Sequence, residues 1–122
     1  MGQIYLLIGA VLAVGIGLAH SVLGERYILT RLFRKPLPPL FGDDSFTRIT
    51  LRFAWHITTI AWFGFAALLY QAGVGQLSTS RVLITVGVTF AVTAMIALVA
   101  SKGRHLSWIV FGAIAILCFI AA

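Results

Sequence analysis

Four long apolar stretches run through this chain, and they limit its possible folds more than any other feature. They lie at Ile4–Leu23, Ile49–Tyr70, Val82–Ala100 and Leu106–Ala122. A helix needs roughly 20 apolar residues to cross a bilayer, with about 17 as the lower limit. Only 10% of the 122 residues are charged, too few to cover the surface of a water-soluble domain. The sequence therefore predicts an all-α integral membrane protein, a four-helix antiparallel bundle that forms one domain over residues 1–122.

The basic residues predict the orientation of this bundle. All nine Lys and Arg residues except Arg81 lie in or beside the first and third connections. Because cytoplasmic loops are enriched in Lys and Arg, both connections are expected in the cytoplasm and both termini outside. The expected location is a bacterial inner membrane. The net charge of +6 favours contact with anionic lipid headgroups, and the chain has no soluble basic face for nucleic acid.

The first connection, "ERYILTRLFRKPLPPLFGDDS", has two halves. The first half mixes apolar and basic residues, a pattern typical of a short helix lying in the membrane interface. Pro36 begins a proline-rich segment that cannot continue a helix. Asp43, Asp44 and Ser45 follow, and these residue types cap helix N-termini. The connection thus predicts an interfacial helix, an extended segment and the capped start of the second long helix.

Small residues on the first stretch predict a helix contact. Gly9, Ala13 and Gly17 recur every four residues, which places them on one helix face. Helices in lipid approach closely where such residues line up. The same face continues to His20, which is therefore expected to point toward the packed interior. Further glycine faces are left for a second copy, so a homodimer is expected.

The three histidines of the chain are predicted to lie in one layer on the cytoplasmic side. His20 falls about 5 Å inside the end of the first helix and His56 about 9 Å inside the start of the second. His105 stands at the start of the fourth stretch. Ionisable groups at membrane depth are costly and usually face the protein interior. Three other charged residues are expected just above this layer: Glu25, Arg52 and Arg104.

Such a layer favours a cofactor-binding function. Imidazole and carboxylate groups are ligands for transition metals, and three histidines with a carboxylate fill a tetrahedral shell. Haem b is the other expected cofactor, with His20 and His56 as axial ligands and Arg52 and Arg104 on its propionates. The predicted metal ligands are His20, His56, His105 and Glu25.

Two other functions stay open at this point. A proton or ion channel would use the same histidines, with Thr85, Thr89 and Thr93 continuing the path. A lipid-binding or scaffold subunit would use the cluster of basic residues. An enzyme is not expected, since Ser21 and His20 are neighbours on a helix and face different directions. The single Cys118 is interpreted as a packing residue.

The first half of the chain resembles a group of short bacterial inner-membrane proteins. The shared stretches are His-Ser-x-Leu-Gly-Glu-Arg, here His20–Arg26, and Leu-Arg-x-x-Trp-His, here Leu51–His56. This resemblance implies a membrane location and carries no activity. A more distant likeness, in "HITTIAWFG" at His56–Gly64, is to four-helix haem-associated membrane proteins of the protoporphyrinogen oxidase type. It implies haem binding without carrying over an oxidase activity.

Overall fold

The structure, a computed structural model, describes residues 1–122 and contains four helices and no strands. Helix α1 spans Gly2–Leu32, α2 Ser45–Gly73, α3 Thr79–Ser101 and α4 Ser107–Ala121. The first three are long and apolar enough to cross a membrane, and α4 is a shorter apolar helix. The predicted all-α class is confirmed, and each apolar stretch forms a helix. Membrane association follows from the length and composition of α1 to α3.

The contacts between helices follow their order along the chain. Helix α2 packs against α1 and α3, and α3 packs against α2 and α4, whereas α1 does not contact α3 or α4. The buried positions between helices are mostly small, such as Ala10, Ala66, Ala97 and Ala115. Short connections hold sequence neighbours together. No large buried side chains bring the two outer helices against each other.

Contacts along α1 and α2 pair the end of one helix with the start of the other. Gly24 lies against Trp55 and Gly17 against Phe63, while Gly73 lies against Leu7. A Cβ added at Gly17 would stand 2.9 Å from the Phe63 ring. The stripe of small residues on α1 therefore lies in a helix contact, as the sequence predicted, and its partner is α2.

The interfacial helix predicted in the first connection is not separate from α1. A π-helical turn, Gly24–Leu29, joins it to the preceding helix, and the Thr30 N–H bonds to the Glu25 carbonyl. A π turn closes hydrogen bonds between residues five apart and is frequent at functional sites. Beside this turn, the guanidinium carbons of Arg26 and Arg31 lie 5.4 Å and 5.8 Å from the centroid of the Tyr27 ring.

The second half of the first connection folds back onto the start of α2. The Arg48 guanidinium donates hydrogen bonds to the carbonyls of Phe33 and Lys35 and to the Asp44 carboxylate. Asp44 also accepts from the Leu37 N–H at 3.0 Å. The Asp44 side chain therefore holds the loop. The sequence predicted that it caps the N-terminus of α2, but its side chain makes no such hydrogen bond.

Asp43 is the acid that bonds to the first residue of α2. Its carboxylate accepts from the backbone N–H of Ser45 at 3.0 Å and from the Ser45 hydroxyl at 2.6 Å. These hydrogen bonds lower the pKa of Asp43, the bond from the Ser45 side chain most strongly.

Protonation of Asp44 should release the loop. The Arg48 hydrogen bond, and after it the Leu37 N–H, lowers the pKa of Asp44 from 3.8 to about 2. Because the folded-state pKa is depressed, the stabilisation is complete above pH 3.8 and disappears as the pH falls through about 2. We expect the Leu37 amide to lose protection, relative to its intrinsic exchange rate at each pH, over that window, and in Asp44→Ala already at pH 6. Asp43→Ala is the control, and unchanged Leu37 protection in Asp44→Ala would contradict the assignment.

Candidate functional site

A chain of hydrogen bonds joins α1 to α2 through side chains that face each other. Ser21 Oγ lies 2.9 Å from His56 Nδ1, and His56 Nε2 lies 3.1 Å from Glu25 Oε2. The other carboxylate oxygen, Glu25 Oε1, is 3.0 Å from Arg52 Nη2. Both ring nitrogens of His56 are therefore engaged, one by a hydroxyl and one by a carboxylate. These residues, with Thr59, are called the His56 cluster below.

The His56 cluster leads from an exposed end to a buried end. The side chain of Arg52 is 50% exposed and that of Glu25 37%. At the other end, Ser21 Oγ is 2.7 Å from Thr59 Oγ1, and the Thr59 hydroxyl donates to the Gly17 carbonyl at 3.2 Å. Thr59 is only 5% exposed. The cluster thus connects a position open to water with the interior of the helix pair.

Residue spacing explains why these side chains meet. Ser21 and Glu25 are four residues apart on α1, and Arg52 and His56 are four apart on α2, so each pair shares a helix face. Gly24 lets α2 approach at this level, because any side chain there would overlap the Trp55 indole. The two pairs therefore oppose each other across a close helix contact.

His20 lies beside the His56 cluster but takes no part in it. Its ring stacks face to face on Trp55, with centroids 4.4 Å apart, and its Nε2 lies 3.2 Å from the Trp55 carbonyl oxygen. In return, the Trp55 indole N–H donates to the His20 carbonyl at 2.9 Å. His20 faces the neighbouring helix as predicted, and its contacts there are with tryptophan.

His105 belongs to a third environment. Its ring packs against Phe46 and Phe53 of α2, and its Nδ1 lies 2.8 Å from Ser107 Oγ. Arg104 lies over the Phe46 ring, 5.6 Å from its centroid. His20 and His105 both pack against the first half of α2, to which His56 belongs, but the three rings have different partners.

The predicted shell of His20, His56, His105 and Glu25 around one metal ion is therefore not formed. No group of three or more His, Cys, Asp or Glu side chains is placed to hold a metal ion. The prediction assigned the histidines a common depth, but depth does not determine the direction in which each ring points. Of the four, only His56 and Glu25 come together.

The residues do not offer haem a ready pair of axial ligands. Both nitrogens of His56 are bonded within the cluster, and Nε2 of His20 lies 3.2 Å from the Trp55 carbonyl oxygen. Arg52, expected on a propionate, is paired with Glu25. Haem b stays a prediction, which an absorption spectrum and elemental analysis of the purified protein test.

Ser21 was not predicted as a site residue, because only its neighbour His20 was considered as a partner, whereas the structure places it against His56. Thr59 was predicted on the same helix face as His56 but without a role in the site. Hydroxyl, imidazole and carboxylate then follow in the order of a nucleophilic triad. However, Ser21 lines none of the five main cavities, and its hydroxyl is also bonded to Thr59. The two pairs four residues apart were the available sequence signal.

The threonine row of α3 does not continue this cluster. Thr89 donates to the Thr85 carbonyl at 2.7 Å and Thr93 to the Thr89 carbonyl at 2.8 Å. Such bonds satisfy hydroxyls within their own helix. The row lies on the far side of α2, beside a largely apolar cavity of about 430 Å³. It supplies no path to His56.

Comparison with known proteins adds no relative, because no family model, curated protein or solved structure matches this chain. The fold and the site define an all-helical, membrane-associated class of protein in which a polar cluster joins two apolar helices. Its function has to be argued from the geometry of that cluster.

Proposed function

We propose that this protein is a multi-pass membrane protein that binds and releases a proton at His56. The observation that carries the proposal is the position of the His56 ring, which is bonded to a hydroxyl on one side and a carboxylate on the other. Histidine is the side chain that changes charge near physiological pH. A ring held in this way couples proton binding to the hydrogen bonds on both of its sides.

Counting hydrogens shows what the full set of bonds requires. Thr59 donates its one hydroxyl hydrogen to Gly17, so the Ser21 hydroxyl must donate to Thr59. His56 Nδ1 must then carry a hydrogen for the bond to Ser21. The contact between Nε2 and the Glu25 carboxylate needs one hydrogen more. All four bonds form together only when the His56–Glu25 pair holds an additional proton.

Loss of this proton reverses the direction in which the Ser21 and Thr59 hydroxyl groups donate their hydrogen bonds. The neutral ring keeps its hydrogen on Nε2, because two lone pairs would otherwise face each other at Glu25. Nδ1 then accepts from Ser21, Ser21 accepts from Thr59, and the carbonyl of Gly17 loses its side-chain donor. The charged side chains bonded into the cluster are Glu25 and Arg52, and their exposure gives the proton a route to water.

The membrane arrangement belongs to the same proposal. The four helices cross a bacterial inner membrane in antiparallel order, with both termini outside. The support is the cationic end of the α1–α2 pair, since Lys and Arg favour the cytoplasmic side. The His56 cluster opens toward that end and would respond to cytoplasmic pH. The homodimer stays a prediction.

We expect the His56 ring and the Gly17 carbonyl group, which lie on different helices, to change together as the pH is varied. In protein labelled with ¹⁵N and ¹³C in lipid nanodiscs, the His56 ring should titrate, and its neutral form should carry hydrogen on Nε2. The Gly17 carbonyl shift should follow the same titration curve, because its side-chain donor is lost with the proton. NMR spectra across the pH range measure both.

Ser21→Ala separates proton binding from the hydroxyl reversal. His56 should still titrate in this variant, while the Gly17 carbonyl should no longer follow it. Ser107→Ala is the matched control, because its hydroxyl contacts His105 instead. A His56 ring that keeps one protonation state throughout would refute the proposed function.

A further inference from the structure

We propose that a groove beside Tyr27 binds one anionic phospholipid, with its phosphate between Arg26 and Arg31. This site lies on another face of the α1–α2 pair and does not depend on proton binding at His56. The proposal rests on an apolar cavity lined in part by Tyr27 and on two guanidinium groups, without carboxylate partners, that both lie near the Tyr27 ring.

The cavity can hold an acyl chain. It has a volume of about 390 Å³ between α1 and α2 and is lined mainly by apolar and aromatic side chains, among them Ile16, Leu23, Ile28 and Trp62. From Ile16 to Ile28 it follows α1 for about 18 Å at the rise of an α-helix. Tyr27 lines the same cavity and marks the end nearest the basic residues.

Two positive charges lie near Tyr27 at that end. The guanidinium carbons of Arg26 and Arg31 lie 5.4 Å and 5.8 Å from the centroid of the Tyr27 ring. Arg26 is next to Tyr27 in the chain, within the π turn Gly24–Leu29, and Arg31 follows Tyr27 by four residues, a spacing at which helical side chains are neighbours.

Neither guanidinium has a carboxylate partner. The three ion pairs of the structure involve Arg48, Arg52 and His56, and Glu25 is occupied by the last two. Two like charges at one ring repel each other unless an anion lies between them. Arginine binds phosphate oxygens through two parallel N–H groups, which suits the phosphodiester of a lipid headgroup.

The apolar cavity and the two positive charges lie next to each other, so we infer that the occupant has an apolar tail and a negative headgroup, as a lipid of the surrounding bilayer does. A free phosphate would use the guanidinium groups and leave the apolar groove unfilled. A zwitterionic lipid would bring its positively charged ammonium group close to two arginines with no acid free to receive it. The chemistry therefore selects a phosphate group of net negative charge attached to an apolar tail.

Fluorescence quenching tests the site directly. In a Trp108→Phe background the emission comes from Trp55 and Trp62, which both line the groove. Phosphatidylglycerol with brominated acyl chains should quench it at about one-tenth of the mole fraction that brominated phosphatidylcholine needs, since a tenfold preference corresponds to about 1.4 kcal/mol. Equal quenching by the two lipids in mixed micelles would overturn the proposal.

Paired variants show where the selectivity resides. Arg26→Gln with Arg31→Gln should remove the tenfold preference, whereas Arg34→Gln with Lys35→Gln removes the same charge outside the groove and should preserve it. Equal loss in both would show a general charge effect and overturn the site. Displacement of the brominated lipid by inorganic phosphate would also overturn it, because the tail would then contribute nothing. The lipid comparison in the Trp108→Phe protein keeps the test decisive if the double variant does not fold.

Discussion

Replacing Gly24 by alanine should lower the free energy of unfolding by about 2–4 kcal/mol, a large effect for one methyl group. The added Cβ would overlap the indole ring of Trp55 on α2. The indole would have to move, which breaks its hydrogen bond to the His20 carbonyl and its stack on the His20 ring. Overpacking and a lost buried hydrogen bond then act together at one helix contact.

Unfolding by SDS in mixed micelles measures this loss. Gly15→Ala is the matched control, because the same methyl group on the same helix meets no atom within 4 Å. Its stability should stay within about 0.5 kcal/mol of the unmodified protein, as is usual for substitutions that touch nothing. If Gly24→Ala behaves like the control, the close approach of α1 and α2 at Trp55 is wrong.

Replacing Glu25 by glutamine should reverse the neutral tautomer of His56. Arg52 is a donor and holds the Oε1 side of the residue, so it would bind the amide oxygen. The amide nitrogen would then face His56 Nε2 and donate to it. All bonds of the cluster could form without the additional proton, with hydrogen on Nδ1 instead of Nε2.

In Glu25→Gln the Ser21 and Thr59 hydroxyl groups should therefore no longer change their donor direction with pH. Imidazole ¹⁵N shifts in lipid nanodiscs report the tautomer, and the Gly17 carbonyl shift should become independent of pH. Asp43→Asn makes the same acid-to-amide change outside the cluster and should leave both readouts as they are. A neutral tautomer with hydrogen on Nε2 in Glu25→Gln would refute the hydrogen count.

The helices could be predicted because hydropathy acts within each segment. In a bilayer no water can bond to the backbone, and a helix pairs its own N–H and C=O groups within one segment. The conformation of each apolar stretch can therefore be predicted without knowing its partners. The interfacial segment was less predictable, since the π turn that joins it to α1 depends on packing around Gly24 and Leu29, both buried. Closure into a bundle is less predictable, because it requires contacts between helices distant in sequence.

The site was predictable only in part. His56, Glu25 and Arg52 were recognised as unusual because ionisable groups at membrane depth are costly. The prediction of a shared metal ion was wrong, since histidines at equal depth were expected to point toward one ligand. His105 lies among phenylalanine rings, while Ser21, a common residue with no charge, supplies the hydrogen bond to His56.

By itself the sequence determined the class of this protein: apolar helices suited to a membrane, with basic residues collected at one end of the first two. Those properties depend on composition and order along the chain. The tertiary structure alone decided which side chains meet, because the rotation of α1 against α2 and the turn at Gly24–Leu29 select one partner for each polar group. The His56 cluster and the Tyr27 groove both arise from that choice.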